Sequence, residues 1–476
     1  MQWLVDVVSF RAFIVKCLTV LGRTALLAFT PDGSKEVSMR LSDPGFNRHS
    51  TALLLAMALC LPAVDALAGG FSTSEFGVRR MGMLAVVAKS DDVTALFHNP
   101  ASLVLLNGTE FQFSSSVFLL DLGIRMYDSK GQLHPDHEIT PDWTVGLIPF
   151  IGIGTDFGSK KWRGAFALYS PNAFGAVLPD DEPSRYHVTQ ALFAASRATA
   201  TVAYEVSPRF SVGAGMSVMH VFLTMEKYMN TSMLLSKNWD LRFSDDPDVE
   251  AGDIFLELGG QDITWAADFG LRFKPLDNLS IGVSFSGGTR IELKGKADFT
   301  TTDGKTSSYN HETIMPIPFT LRGGINWELA SDFEWGIDVR YWHYQVYQEQ
   351  RSVFTEEIAE LGRDHIVSPK NYMNSWNIAT GILHKVNQRL EIMAGLRLDY
   401  TPIPTQTLTL DNPTQDLMGV TVGARWKATD TVRLGLAIAR GWFGVINVQD
   451  SVTEPPTNIK GHGANTSIGV DVSWKL

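Results

Sequence analysis

The residue types that could carry covalent or metal chemistry are sparse in this chain and poorly spaced for it. Its 476 residues include eleven histidines and two cysteines. The histidines are scattered, with no grouping at metal-ligand spacing. No glycine-rich elbow presents a serine, and no serine and histidine stand where one could activate the other. No loop has the form of a nucleotide cradle. An enzyme, a metal and a cofactor are therefore not expected. Lys and Arg number 40 against 51 Asp and Glu, a net charge of −11. No basic run of the kind that neutralises phosphates occurs, so nucleic acid is not an expected partner.

Whatever the chain does must then follow from how its elements display apolar and polar side chains. It is 45% hydrophobic and 11% aromatic, with 41 glycines. Beyond the first seventy residues it has no run of about 18 apolar residues, the length a membrane-crossing helix needs. What recurs is an alternation of period two. Ile468, Val470, Val472, Trp474 and Leu476 share one face of the last segment, and Gly469, Asp471, Ser473 and Lys475 share the other. Val432, Leu434, Leu436 and Ile438 repeat the pattern, as do Leu390, Ile392, Ala394, Leu396 and Leu398. A soluble sandwich turns such faces inward, whereas a membrane barrel turns them to lipid.

Spacing separates the two. The segments pair through short turns such as Ser207-Pro208, Asn387-Gln388 and Thr429-Asp430. The long connections, 122–142, 171–189, 223–263, 292–317, 346–374, 401–416 and 443–463, all fall on the other side. This predicts an all-β fold, a transmembrane β-barrel of about 14 antiparallel strands over residues 109–476, with short turns in the periplasm and long loops outside. The expected strands are 111–121, 143–155, 160–170, 190–206, 209–222, 264–274, 278–291, 318–329, 333–345, 375–386, 388–400, 417–427, 430–442 and 464–476. Trp143, Trp335, Trp376, Tyr400 and Trp442 fall toward strand ends, as interfacial girdles do, with core packing as the alternative. The last strand ends on Leu476 rather than on the aromatic residue that usually serves as the signal to the barrel assembly machinery.

The N-terminus reads as an address. Thr51 to Leu61 is apolar, follows Arg40, Arg48 and His49, and precedes Ala66-Leu67-Ala68, the layout of a secretory signal cleaved after Ala68. Met39 would be a normal start, which makes 39–68 the signal peptide and 1–38 an upstream extension. Cys17 and Cys60 both lie before the cleavage point, so the mature chain would carry no thiol. Leu59 is too large for the lipobox that would make Cys60 a lipid anchor. Residues 69–108 show no alternation and include GVRRMGMLAVVAKSDDVTALFHNPASLVLLNG. A barrel of this strand number encloses a lumen wide enough to leak, and this segment is expected to fill it as a plug, with a periplasmic tail as the alternative.

Several motifs occur in order: Arg80-Met81-Gly82, Asp91-Asp92, His98-Asn99-Pro100-Ala101, Leu106-Asn107-Gly108, Ile291 to Phe299, Met315 to Ile325, Asp399 to Pro404 and Asp411 to Asp416. In this order they resemble the FadL family of outer-membrane fatty acid and hydrocarbon transporters, over essentially the whole mature chain. The resemblance implies an N-terminal hatch over 69–108, an apolar ligand pocket above it, and a kink in the third strand that opens the wall for lateral exit. It implies hatch roles for Asn99, Pro100 and Ala101 near that opening. The kink would fall at Ser170-Pro171-Asn172, where proline removes a ladder donor, although an ordinary strand end fits equally. It nominates Lys227 as a contact for the ligand carboxylate and Arg351, through a two-residue shift, as a second; solvated loop charges are the alternative for both. The expected function is passive passage of hydrophobic molecules, long-chain fatty acids first. Aromatic hydrocarbons, or a polar-solute porin, are the alternatives. Expected partners are that ligand, outer-membrane lipid and lipopolysaccharide, and the assembly machinery.

Overall fold

The alternating segments pair into one closed wall. The computed structural model describes residues 70–476 apart from 74, 129, 134–137, 142–144 and 237–251. The expected upstream extension (1–38), signal peptide (39–68) and Trp143 lie outside the described residues.

Fourteen antiparallel strands form the barrel. They are β1 (Thr109–Met126), β2 (Val145–Thr155), β3 (Trp162–Val177), β4 (Gln190–Ser207), β5 (Phe210–Asn230) and β6 (Asp253–Leu276). Five of the remainder are interrupted: β7 (Leu279–Ser286, Thr289–Thr301), β8 (Thr306–Ile317, Thr320–Ala330), β9 (Phe333–Trp342, Glu349–Ile358), β10 (Arg363–Pro369, Ser375–Lys385) and β13 (Val432–Phe443, Ile446–Val448). β11 (Leu390–Asp399), β12 (Leu417–Lys427) and β14 (Ile459–Lys475) are continuous. β14 closes on β1 from Glu110↔Lys475 to Met126↔Ile459, so no edge is left unpaired there.

The outer surface is what a lipid solvent demands. Met418, Val420 and Val422 of β12 are exposed while Thr421 between them is 3% exposed, and Phe269, Leu271 and Phe273 of β6 do the same beside buried Arg272. An exposed band of this size would aggregate in water and is stable against hydrocarbon. Trp376 and Trp442 are exposed near strand ends, as is Tyr400 just past β11. Trp335 is half-buried, with its indole N–H donated to Thr380 Oγ1 at 3.1 Å.

The connections expected at 223–263, 292–317 and 346–374 are in large part ladder. β6 begins at Asp253, β7 runs to Thr301, β8 begins at Thr306, β9 resumes at Glu349 and β10 begins at Arg363. The reason is that amphipathicity inverts along the barrel. On β6 the inward positions are Asp268 and Arg272 near the short-turn end but Leu256 and Leu258 beyond it, all buried. On β5 they pass from Ser211 and Ser217 to Met219, Val221 and Leu223. Past the lipid band the outer face meets water and becomes polar, and the inner face becomes apolar. On β7 the break at Gly287-Gly288 also shifts the phase by one, so that Ser284 and Ser286 point in below it and Ile291 and Leu293 above.

Candidate functional site

Three structural features meet inside this wall. The first is a break in the ladder. β2 and β3 pair only from Thr155↔Gly164 to Phe150↔Tyr169. Beyond that point β2 stays bonded to β1 as far as Val145, and β3 stays bonded to β4 as far as Val177. The β3–β4 register slips by one residue between Tyr169↔Arg197 and Asn172↔Ala195. Ser170-Pro171-Asn172 therefore forms a bulge, which bends β3 away from β2. The strand continues past it, so these residues are not a strand terminus.

The edge that β2 relinquishes is taken by the N-terminal segment. Thr73 N–H donates to Pro171 O at 2.8 Å, Ala173 N–H to Phe71 O at 2.9 Å, and Thr73 Oγ1 to Ser170 O at 2.6 Å. Phe71, Ser72 and Thr73 were not singled out from the sequence. Three residues pairing with a distant strand leave no period to detect.

The second feature is the rest of that segment, residues 70–108, which packs against inward-facing side chains around the lumen. It forms α1 (Val78–Met83), α2 (Ala95–His98) and a tight turn at Pro100–Leu105. Polar side chains of the wall bind its backbone. Asp471 accepts from Val78 N–H at 2.7 Å and Asp338 from Val86 N–H at 2.8 Å, while Thr421, Arg272, Ser284 and Ser211 donate to its carbonyls. Buried and half-buried ion pairs add to these: Arg79–Glu334 at 2.6 Å, Lys89–Glu334 at 2.7 Å, Arg425–Asp91 at 2.7 Å and Arg397–Glu75 at 2.7 Å. Breaking one side of such a pair costs far more than the pair contributes, because the other charge stays buried.

Asn99 is fully buried and uses both ends of its amide. Nδ2 donates to Val87 O at 2.8 Å and to Leu271 O at 3.0 Å, and Oδ1 accepts from Ala101 N–H at 3.1 Å. Pro100 and Ala101 lie against Gly213 of β5 and Gly270 of β6, where any Cβ would collide with them. The Asn-Pro-Ala motif is thus seated on β5 and β6. At the β2–β3 break the segment places the Thr73 hydroxyl on Ser170 O and the rings of Phe76 and Phe97 against Tyr169 at 5.2 and 5.5 Å.

The third feature is an apolar interior above the segment, the chamber, filled by side chains of the wall. One buried cluster runs from Met229, Leu410 and Ile459 near the long-loop end, through Leu256, Ile291 and Met315, to Trp342, Tyr344 and Phe71. Phe71 joins chamber and break. Its ring packs on Phe193 at 5.5 Å and Tyr344 at 5.2 Å while its backbone lies on the β3 edge.

Toward the long-loop end a cavity of ≈ 90 Å³ is lined by His187, Lys227, Lys370 and Asp411, together with Met225, Leu410 and Ile366. Lys370 Nζ donates to Thr409 Oγ1 at 3.2 Å, while the Lys227 side chain has no hydrogen bond or ion pair among the described residues. His187, between β3 and β4, has its imidazole pushed down to about 3 by burial and then by the Lys227 charge, so it is neutral at pH 7. Arg351 faces away. It pairs with Glu349 at 2.9 Å on the outer side of β9, and its neighbours Gln350 and Ser352 line the cavity instead.

Comparison with known proteins gives a consistent result. The outer membrane protein transport protein family (OMPP1/FadL/TodX) matches over residues 59–473. A FadL homologue from Pseudomonas aeruginosa has a similar structure, with a TM-score of 0.73 at 14% identity, over 86% of this chain and 100% of its own. The toluene transporter TodX of P. putida gives 0.66 at 18% identity, over 86% and 99%. The toluene transporter TbuX of Ralstonia pickettii gives 0.60 at 14%, over 85% and 98%. At these identities the likeness is one of fold. No curated protein matches the chain in sequence.

Proposed function

This chain belongs to the OMPP1/FadL/TodX family of outer-membrane transport proteins for hydrophobic molecules, and from that premise we propose that its cargo is the long-chain fatty acid. The observation that carries this reading is the pairing of one long apolar interior with a lysine-bearing cavity at its long-loop end. The chamber suits an acyl tail, each buried methylene of which is worth about 0.8 kcal/mol. The Lys227 ammonium has no hydrogen bond or ion pair among the described residues and suits a carboxylate. An aromatic hydrocarbon would use the chamber and leave the lysine idle.

In this reading the carboxylate is captured at Lys227 and the tail enters the chamber. Phe71, Ser72 and Thr73 then leave the β3 edge, and the cargo passes sideways through the β2–β3 break into lipid. Residues 70–108 act as the hatch, with Asn99, Pro100 and Ala101 as its anchor on β5 and β6. Lateral exit avoids carrying the tail through water. Transport is passive, and the barrel reaches its membrane, lipid on its flank and lipopolysaccharide around its long-loop end, through the assembly machinery.

Uptake of labelled oleate and labelled toluene by cells lacking their own transporter tests the assignment. Oleate uptake is the expected result; toluene uptake alone would move the chain to the hydrocarbon alternative, and uptake of neither would sink both. Lys227→Met should lower oleate uptake at limiting concentration by on the order of tenfold, the worth of one charge-assisted contact, and leave any toluene uptake unchanged. Equal loss of both would remove Lys227 from head-group recognition.

A further inference from the structure

The inward face of β8 and β9 carries two arginines side by side. Arg322 and Arg340 are direct partners in the ladder, which sets their Cβ atoms about 5 Å apart, and they are 4% and 1% exposed. Arg80 of α1, 1% exposed, lies within electrostatic reach of Arg340 and Asp338. None of the three side chains makes a hydrogen bond or ion pair with a protein group among the described residues. Five of their nitrogens are shut off from solvent without a partner: Nε and Nη1 of Arg80, Nε of Arg322, and Nε and Nη2 of Arg340.

The carboxylates nearby are hydrogen-bonded or paired to other groups and make no hydrogen bond or ion pair with these three guanidiniums. Asp338 accepts the Val86 and Val87 amides. Glu75 is held by Arg397 at 2.7 Å, and Asp399 lies 3.3 Å from the same arginine. Asp268 faces Arg197 at 3.5 Å and also accepts from Ser286. His98 lies within reach of all three arginines and its Nδ1 is likewise buried without a partner. Burial and the Arg340 charge hold its imidazole well below the usual range, so it adds a neutral polar group. Two like charges opposite each other on a ladder repel, and Arg80, Arg322 and Arg340 share Glu75, Asp268, Asp338 and Asp399 with Arg197 and Arg397, five buried guanidiniums against four carboxylates, an excess of buried positive charge that is costly to hold.

The location gives this excess charge a use. Trp342, the next inward residue above Arg340, belongs to the chamber. The guanidinium of Arg322 lies 4.7 Å from the centre of the Phe97 ring, and Phe97 packs on Tyr169, the last β3 residue paired with β2. The arginines therefore stand between the chamber and the wall break.

We propose that Arg80, Arg322 and Arg340, with His98, form a buried carboxylate site that receives the cargo's head group at the base of the chamber. The proposal rests on the fatty-acid reading for the identity of the ligand, but the site can be tested without transport. The head group would pass from Lys227 to this second station, where planar guanidiniums can each offer two donors to one carboxylate. A head held here places the acyl tail beside the break from which it leaves.

The test uses crystals of the purified chain in a non-ionic detergent, soaked with bromide. An anomalous peak is expected between Arg322 and Arg340, displaced by dodecanoate but not by dodecanol. No peak overturns the site, and a peak that dodecanoate leaves in place overturns the carboxylate assignment, reducing it to an inorganic-anion site. In solution, Arg340→Met should weaken dodecanoate binding by on the order of tenfold with dodecanol unchanged, and Arg340→Lys should restore part of the loss. Equal weakening of both ligands would make Arg340 a structural residue and overturn the proposal. Bromide and dodecanoate bound as expected, in a protein that cells cannot use for oleate uptake, would refute the transport reading and leave the site standing.

Discussion

Deleting Pro171 should close the barrel wall and stop oleate uptake while leaving a folded, membrane-inserted barrel. The β3–β4 ladder runs in one register through Tyr169↔Arg197 and in a register shifted by one from Asn172↔Ala195. Removing a single residue between these pairs makes the two registers continuous. The straightened strand then lies alongside the stretch of β2 from Val145 to Pro149, which bonds only to β1. Each new ladder bond contributes about 1 kcal/mol, and several together outcompete the short pairing of Phe71 to Thr73 with β3. Uptake is expected to fall by at least on the order of tenfold, since about 1.4 kcal/mol added to the opening step is enough for that factor. Heat-shifted mobility on a gel reports whether the barrel has formed. A deletion variant that folds and still transports would remove the β2–β3 break from the path of the cargo.

The membrane-level half of each strand was legible because its solvent is uniform. Lipid outside imposes apolar residues at every second position, so Leu390 to Leu398 and Val432 to Ile438 could be read directly. The long-loop half was not legible by the same rule. There β7 carries Arg290, Glu292, Lys294 and Lys296 outward and Ile291, Leu293, Ala297 and Phe299 inward, which on a lipid-facing assumption reads as loop. The site shows the same division. Pro171 carries its own signal, because proline cannot donate to a ladder, and the Asn-Pro-Ala motif is a compact string. Arg322 and Arg340 lie in separate segments, and only the register of β8 on β9 makes them neighbours. Arg351 is separated from the cavity by strand parity alone, since Gln350 and Ser352 face in where it faces out. A nomination that depended on a two-residue shift could not resolve a face that alternates every residue.

Asn99→Ala should loosen the N-terminal segment and raise leakage through the lumen. The amide makes three bonds in a fully buried setting, to Val87 O, Leu271 O and Ala101 N–H. One of these crosses to β6, one ties the motif to Val87 within the segment, and one fixes the turn into Pro100. At about 1 kcal/mol, loss of the bond to Leu271 moves the balance between docked and displaced segment about fivefold, and loss of the two internal bonds loosens the segment's own fold. The alanine also leaves two carbonyls and one amide buried without partners, which adds to the cost. The measurement is ion conductance of the purified chain in a planar bilayer. Wild type should be nearly closed, because residues 70–108 pack across the lumen, and the variant should flicker open. Asn99→Asp keeps the acceptor for Ala101 but loses both donated bonds, so it should fall between the two. If Asn99→Ala conducts no more than wild type while its barrel stays folded, the segment is held by Arg79, Lys89 and Asp91 through their pairs with Glu334 and Arg425. The Asn-Pro-Ala turn would then be a structural seat and not part of the gate.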